Sequence, residues 1–333
     1  MATARRRELS VEDYAEGVRG GDRAVLGRAI SLIESSAKRH QEASRELLTR
    51  LTPGSGGAVR VGITGVPGVG KSTFIESFGV KLCESGRRVA VLAVDPSSGV
   101  SGGSILGDKT RMAELSVRAD AFIRPSPSAG TLGGVASKTR EAMIVCEAAG
   151  FDVVLVETVG VGQSETVVAG MTDFFLGLML PGAGDELQGI KRGLLELVDM
   201  IAVNKADGDN VARAKLAVRE YRNALHYMSA AHGGESVEVL TCSALTGMGL
   251  DHVWETILDR WTRMEASGEL GERRKKQALA WMWAMVDERL RRVFREDETV
   301  RATLPSVEAE VSAGRVPATR AAEGLVDAFV RRG

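Results

Sequence analysis

The sequence predicts an α/β fold in which a mostly parallel central sheet is flanked by helices and extended by further helices at both ends. From Val59 onward, short β-rich runs alternate with helical stretches. Several of these runs are apolar without alternation, which is typical of parallel strands covered on both faces. A helical period returns after about residue 265. We therefore expect an N-terminal helical extension over 1–56, a sheet domain over 57–265 and a C-terminal helical arm over 266–333.

The elements follow one another in a regular order. Residues 10–52 predict two or three amphipathic helices, with Ser10 and Asp13 in a capping-box arrangement and Asp22 as a second N-cap. A Pro-Gly-Ser-Gly-Gly break at 53–57 precedes the sheet. The predicted strands are Val59–Thr64, Val89–Val94, Ala121–Arg124, Asp152–Glu157, Phe174–Leu180, Met200–Val203 and Val237–Thr241. The predicted helices between them cover 72–85, 137–149, 208–230 and 250–264.

Composition excludes several classes of partner. Lys and Arg total 43 against 44 acidic residues, so a net charge of −1 offers no field to recruit nucleic acid or an anionic membrane. The first residues lack the apolar segment of a signal peptide, and no apolar run is long enough to span a membrane. We expect a cytoplasmic protein, or a mitochondrial matrix protein only if the source is eukaryotic. Cys83, Cys146 and Cys242 are scattered, which predicts buried, reduced thiols.

A glycine-rich turn after the first predicted strand matches the phosphate-binding pattern G-x-x-x-x-G-K-[ST] at every fixed position. Its backbone N–H groups and the helix that follows can face phosphate oxygens. We expect the Lys71 amine to reach the β- and γ-phosphates and the Ser72 hydroxyl to bind Mg²⁺. The sequence thus predicts a P-loop NTPase. The nucleotide-binding residues assigned here are Gly65, Val66, Pro67, Gly68, Val69, Gly70, Lys71, Ser72 and Thr73.

An apolar strand that ends in Glu157 predicts a second part of the same site. A carboxylate at this strand tip can hold Mg²⁺ directly or through water, and the Gly160 N–H can sense the γ-phosphate. Many GTPases carry a catalytic glutamine directly after this glycine, whereas Val161 stands here and Gln163 lies nearby. Catalytic roles, with no water-orienting glutamine among them, are therefore assigned to Lys71, Asp95, Asp108, Glu157 and Gly160.

Two further acids are candidates for the metal shell. Asp95 directly follows the predicted strand Val89–Val94, and Asp108 follows a glycine- and serine-rich stretch. An aspartate in either position could instead be a turn or helix cap, and the alternative weighs most for Asp108. The stretch between them is a candidate switch segment.

The predicted strand Met200–Val203 is followed by an N-K-x-D motif at 204–207, which predicts that the bound base is guanine. The Asp207 carboxylate can accept hydrogen bonds from guanine N1–H and the 2-amino group, whereas adenine would leave it unpaired. The Lys205 stem can lie along the base, and Asn204 can brace the neighbouring loops. A backbone N–H after the next strand can bond guanine O6. The residues assigned to this loop are Ser243, Ala244 and Leu245.

Taken together, these motifs and the Asp95-Pro-Ser-Ser stretch resemble the MeaB/ArgK family of GTPases. The resemblance runs through the GTP-binding domain and includes both helical extensions. It implies an all-parallel sheet and a chaperone of methylmalonyl-CoA mutase that couples GTP hydrolysis to adenosylcobalamin loading, protection and rescue. It also implies a magnesium shell of Ser72, Asp95, Asp108 and Glu157, and a further switch over 181–192 that faces the mutase.

The expected reaction is in-line attack of water on the γ-phosphate of GTP, with GDP as the product. Because the usual glutamine is missing, we expect slow intrinsic hydrolysis that a partner accelerates. A metal-insertion GTPase and a P-loop kinase remain as alternatives. The first ordinarily shows a His-rich tract, whereas His40, His226, His232 and His252 are isolated. The chain also lacks an Asp-x-His-x-x-Gly cobalamin signature, so we expect the client to hold the cofactor.

The C-terminal arm carries a short apolar seam with a 4-3-4-3 spacing. The seam alone favours packing within the chain, since three heptads make a weak dimer. The family resemblance implies instead a homodimer made by this arm. Its residues are Leu279, Trp283, Val286, Leu290 and Val293.

Overall fold

The computed structural model describes most of the chain. It covers residues 9–35, 37–94, 112–125, 132–158, 164–182, 192–232 and 237–330. The chain divides into two compact units, Met1–Lys275 and Lys276–Gly333, which are taken one at a time below.

Seven parallel strands form one sheet within the described residues. Their bounds are β1 Val59–Gly65, β2 Val89–Val94, β3 Ala121–Arg124, β4 Val153–Thr158, β5 Phe174–Met179, β6 Met200–Val203 and β7 Glu238–Thr241. Their order across the sheet is β3-β2-β4-β1-β5-β6-β7. All the described pairings are parallel, which confirms the predicted fold class. The order places β1, and the phosphate loop after it, between β4 and β5 in the middle of the sheet.

Helices precede, separate and follow the strands. Their bounds in the first unit are α1 Val11–Arg19, α2 Arg23–Glu34, α3 Lys38–Leu51, α4 Lys71–Glu84, α5 Ala113–Val117, α6 Leu132–Ala148, α7 Ser164–Ala169, α8 Arg192–Leu195, α9 Val211–His232 and α10 Leu250–Ser267. The capping box of Ser10 with Asp13 and the cap by Asp22 both form as predicted. None of the helices in the described residues combines the length and apolar composition that crossing a membrane requires.

Each face of the sheet buries its own hydrophobic core. Val154 and Val156 of β4 point into a core shared with the N-terminal helices, where Ile30 of α2 is fully buried. The intervening Leu155 points into the other core, where it lies with Phe74 of α4. Because side chains alternate along a strand, an uninterrupted apolar run supplies both cores at once.

Aspartates close the amino-terminal edge of the sheet, opposite the phosphate loop. The Asp152 carboxylate accepts the Arg88 N–H at 2.8 Å, and the Asp199 carboxylate accepts the Phe175 N–H at 2.7 Å. β4 begins at Val153, one residue later than predicted. Asp152 still bonds through its backbone to the segments on both sides, since its N–H donates to the Arg88 carbonyl and its carbonyl accepts the Val59 N–H, each at 2.9 Å.

The same edge holds the start of the helix α11, Glu269–Glu296, through buried ion pairs. The Asp173 carboxylate lies 2.6 Å from the Arg274 guanidinium and accepts the Arg60 N–H at 3.0 Å. Arg60 in turn binds Glu147 at 2.6 Å. Four segments that are far apart in sequence, around residues 60, 147, 173 and 274, are therefore joined at this edge of the sheet.

The second unit is helical. It contains the remainder of α11 together with α12 Glu298–Ser312 and α13 Ala318–Val330. Asp297 caps α12 by accepting the N–H groups of Thr299 and Val300, and Phe294 makes an edge contact with Phe329 at a centroid distance of 5.4 Å. The five residues of the predicted seam all lie on α11 and are between 37% and 61% exposed.

Candidate nucleotide site

The phosphate loop lies between β1 and α4, where two glycines meet geometric demands that no other residue satisfies. Gly65 has a φ of 153°, and a Cβ there would lie 2.5 Å from the Leu178 carbonyl oxygen of β5. Gly70 has a φ of 93°, and a Cβ there would lie 3.1 Å from the Asn204 side-chain nitrogen. A side chain at Gly65 would collide with the backbone of β5, and one at Gly70 would crowd the Asn204 side chain in a backbone conformation that other residues rarely adopt.

Lys71 begins α4 and turns its amine back into the loop. The amine donates to the Gly65 carbonyl at 2.8 Å and to the Val66 carbonyl at 3.4 Å. Burial lowers the pKa of Lys71, and the carboxylates of Glu157 and Glu165 partly oppose that shift by stabilising the charged form. The amine is therefore held inside the loop with acidic groups near it. This placement suits a cation that binds phosphate oxygens.

Ser72 of α4 and Glu157 of β4 come together at the carboxyl-terminal edge of the sheet, where the neighbouring strands β1 and β4 end. The Ser72 hydroxyl donates to the Glu157 carboxylate at 3.2 Å. The contact follows from the pairing of β1 with β4, in which Ile63 stands beside Glu157. A hydroxyl and a carboxylate are hard oxygen donors of the kind that Mg²⁺ takes, so this pair fits the metal that the sequence predicts.

Several predicted positions fall outside the described residues. These are Asp95, Asp108, Gly160 and the 183–191 part of the predicted switch. The pair of Ser72 and Glu157 is thus the described part of the proposed metal shell. Among the described residues, no group of three or more His, Cys, Asp or Glu side chains forms a metal site.

Asn204 links the phosphate loop, through Val69, to the loop after β7 that contains Ala244. Its side-chain nitrogen donates to the Val69 carbonyl at 2.9 Å, and its side-chain oxygen accepts the Ala244 N–H at 3.0 Å. The side chain is 1% exposed, so both of its polar atoms are satisfied within the protein. The predicted bracing role of Asn204 has a defined geometry here, since one amide spans two loops.

Lys205 adopts a backbone conformation that residues other than glycine rarely take. Its φ is 59°, in the left-handed region, and its amine donates to the Gly68 carbonyl at 2.8 Å. Such a conformation costs about 1–3 kcal/mol and persists only where surrounding contacts impose it. It carries the lysine stem across to the phosphate loop.

Asp207, the last residue of the N-K-x-D motif, contacts Ser243 in the loop after β7. The Ser243 hydroxyl donates to the Asp207 carboxylate and accepts the Thr246 N–H at 3.2 Å. The backbone of Ser243 also donates to the Met248 carbonyl at 2.9 Å, so the loop is closed on itself. The arrangement holds a carboxylate at the rim of the site while leaving it half-buried. A guanine edge could pair with such a carboxylate.

Sequence reasoning missed three residues that support this site. The hydroxyls of Thr64 and Thr158 bond each other at 2.9 Å, directly before the phosphate loop and directly after Glu157. The Ser77 hydroxyl of α4 donates to the Ala244 carbonyl at 2.6 Å. A threonine at the end of an otherwise apolar strand was a usable signal for the first pair. No sequence signal marks Ser77, because its partner lies 167 positions away.

The chain is similar in sequence to proteins that carry GTPase names. The family model described as methylmalonyl Co-A mutase-associated GTPase MeaB matches residues 26–299. A Caulobacter vibrioides protein that carries a GTPase name is 59% identical over 321 residues, covering 96% of this chain and 98% of that protein. The mitochondrial methylmalonic aciduria type A homolog of Mus musculus is 45% identical over 332 residues, covering 97% of this chain and 80% of that protein.

One solved structure is similar over almost the whole chain. It is the crystal structure of a protein named LAO/AO transport system kinase, with a TM-score of 0.77 and 38% sequence identity. The match covers 98% of this chain and 100% of that one. The sheet, the phosphate loop and the terminal helices thus belong to an architecture already observed by experiment.

Proposed function

This chain belongs to the MeaB family of GTPases, and from that premise we propose that it is a GTP-driven chaperone of methylmalonyl-CoA mutase. In this proposal, hydrolysis is coupled to adenosylcobalamin loading and to protection and reactivation of the mutase. The chain is a GTPase, and as such it binds GTP and GDP. The observation that carries the client assignment is the family match over 26–299, whose description names the mutase.

The residues of the site have separate tasks in this reaction. The phosphate-loop N–H groups and the Lys71 amine hold and neutralise the phosphates, and Gly160 registers the γ-phosphate. Asp207 pairs with the guanine edge, Lys205 covers the base, and Asn204 keeps the two halves of the site in register. The chain then positions a water molecule for in-line attack on the γ-phosphate.

Magnesium is the proposed metal. Ser72 and Glu157, together with Asp95 and Asp108, would hold it. Once bound, the ion would neutralise charge on the β- and γ-phosphate oxygens. The 3.2 Å contact of the Ser72 hydroxyl with Glu157 supports this assignment, because it brings two of the four proposed oxygen donors together.

Hydrolysis by the chain alone is proposed to be slow. Val161 stands where many GTPases place a water-orienting glutamine. We propose that the mutase supplies the missing order by contacting the 181–192 switch. The cobalamin itself is held by the mutase in this view, and this chain regulates its entry.

A homodimer is proposed through the C-terminal arm over 266–333. The five apolar seam residues of α11 are exposed, and contiguous exposed apolar surface of this kind commonly marks a protein–protein interface. A second copy would offer the same stripe, as a twofold interface requires. Light scattering on the full chain and on Leu279→Glu with Leu290→Glu tests this, since a dimer of unchanged mass in the double variant would exclude the seam.

The chaperone proposal is tested with purified methylmalonyl-CoA mutase. GTP hydrolysis is measured for the chain with and without the mutase, and reactivation of cofactor-free mutase is followed in adenosylcobalamin with GTP, GDP or a non-hydrolysable analogue. We expect the mutase to accelerate hydrolysis and reactivation to depend on the nucleotide. An unchanged hydrolysis rate together with reactivation that ignores the nucleotide would exclude this client.

An Asp207→Asn variant supplies the matched control. Its amide should pair with the 2-oxo group of xanthine and no longer bind guanine. The mutase should therefore stimulate hydrolysis of XTP by this variant and no longer that of GTP. A kinase reaction is separated from hydrolysis by labelled GTP with candidate acceptors, because transfer of label to an acceptor rather than to water would favour the kinase.

A further inference from the structure

We propose that Ser77, on the helix after the phosphate loop, is a positioning residue for guanine recognition. It acts through the peptide that joins Ala244 to Leu245. The inference rests on the base-reading role proposed above for the loop at 243–245, and it adds a residue that no motif includes.

The contact itself is short and lies on a packed interface. The Ser77 hydroxyl donates to the Ala244 carbonyl at 2.6 Å. One residue further, the Phe78 ring makes an edge contact with Trp254 of α10 at a centroid distance of 6.2 Å. One turn further, the Lys81 amine lies 2.7 Å from the Asp251 carboxylate. The face of α4 that carries Ser77 is therefore held against the start of α10, and the loop before α10 is within reach of the hydroxyl.

The backbone N–H and the carbonyl of Ala244 are both hydrogen-bonded to side chains of the protein. Its N–H donates to the Asn204 side chain at 3.0 Å, and its carbonyl accepts from Ser77. The next N–H along the chain is that of Leu245, which meets no protein acceptor within the described residues. Leu245 is also 81% exposed, so the loop reaches the surface of the protein at this residue.

The planarity of the peptide bond makes the Ser77 contact directional. The Ala244 carbonyl and the Leu245 N–H belong to one planar unit and point in opposite directions. A hydroxyl that fixes the carbonyl therefore fixes the direction of the N–H. Guanine presents an acceptor oxygen at position 6, whereas adenine presents an amino donor there. An N–H with a fixed direction favours the first base and repels the second.

The arrangement also ties the two halves of the nucleotide site together. Ser77 lies on the same helix as Lys71 and Ser72, so the element that bears the phosphate-binding residues also orients the base-reading peptide. Asn204 makes the corresponding link from the other side, between Val69 and Ala244. The peptide between Ala244 and Leu245 is thus held from two directions.

The test compares GDP with 6-thio-GDP, which keeps the N1–H and the 2-amino group of guanine and replaces the 6-oxygen by sulfur, a weaker acceptor. Affinities of the full chain for both nucleotides are measured by calorimetry. Ser77→Ala should weaken the affinity for GDP about three- to tenfold, the worth of one neutral hydrogen bond, and should weaken the affinity for 6-thio-GDP less. Ser77→Thr retains the hydroxyl and should bind GDP as the unaltered chain does. Ser85→Ala, at the other end of α4, should change neither affinity.

Each contrary result has a separate meaning. An equal loss for both nucleotides would show that Ser77 merely supports the fold, and an unchanged GDP affinity would show that the contact does not matter; either overturns the inference. Asp207→Asn is measured in parallel. If it too leaves GDP affinity unchanged, the base-reading assignment itself fails, whereas a large loss there beside an unaffected Ser77→Ala would reject Ser77 alone.

Discussion

The hydroxyl of Thr158 donates a 2.9 Å hydrogen bond to the hydroxyl of Thr64, and neither side chain is exposed to solvent. Thr64 immediately precedes the phosphate loop, and Thr158 immediately follows Glu157. Two segments that we propose to act on the same phosphate are therefore joined by a buried polar contact at the ends of β1 and β4. Because both hydroxyls are buried, each depends on the other for a hydrogen bond that water cannot supply.

Removing one of these hydroxyls is expected to cost more than removing both. Thr158→Val and Thr64→Val should each lower the free energy of unfolding by about 1–3 kcal/mol, because each leaves the other hydroxyl buried without its partner. The double variant should recover much of that loss. Urea unfolding of the four proteins gives the coupling energy directly. Additive losses in the double variant would contradict a specific pair.

Lys71→Ala is expected to abolish nucleotide binding while the fold is retained. GDP at a hundredfold excess over its dissociation constant should stabilise the unaltered chain by about 2.7 kcal/mol, and this gain should vanish in the variant. Thermal unfolding with and without GDP measures it. Burial lowers the pKa of Lys71, so its charge disfavours the folded state and its loss should not unfold the protein. Full GTPase activity in the variant would remove the phosphate-loop assignment.

Asp173→Asn is expected to be strongly destabilising although it lies far from the nucleotide. The carboxylate is 1% exposed and binds the Arg274 guanidinium at 2.6 Å, so the substitution leaves a buried cation without its counter-charge. We expect a loss of about 3–5 kcal/mol in the free energy of unfolding. Glu310→Gln is the control, because it breaks the exposed pair with Arg315 and should change stability little. Equal effects of the two variants would contradict the structural role of Asp173.

The cysteines are expected to resist alkylation in the folded protein. Burial raises the pKa of Cys242 to about 12 and that of Cys83 to about 11, so at pH 8 both are almost wholly protonated. Iodoacetamide should label them only after unfolding, which mass spectrometry can follow. Since the folded-state pKa of each exceeds the ordinary value of 9.0, stability should be constant below about pH 9 and fall above it. Rapid labelling of Cys242 at pH 8 in the native protein would be contrary to this expectation.

Much of the fold could be predicted because short segments of the sequence carry the hydrophobic patterns of strands and helices. Apolar runs located all seven strands, and the bounds of β2, β3 and β6 are those predicted. The phosphate loop and N-K-x-D are short motifs whose chemistry depends on neighbouring residues, so the nucleotide could be named before the fold was known. Contacts between segments are not visible in such patterns. An apolar run does not reveal that the Asp152 carboxylate will accept the Arg88 N–H.

The sequence by itself determined the GTPase family motifs and the chemistry that we propose for the site, and the tertiary structure decided how its parts are held together. Asn204 contacts a loop 135 positions away, Ser77 contacts a carbonyl 167 positions away, and Arg274 contacts Asp173 across 101 positions. No local pattern encodes these pairs, because each depends on which strands become neighbours. That order is set by burial of both faces of the whole sheet, which is a property of the folded chain and not of any segment within it.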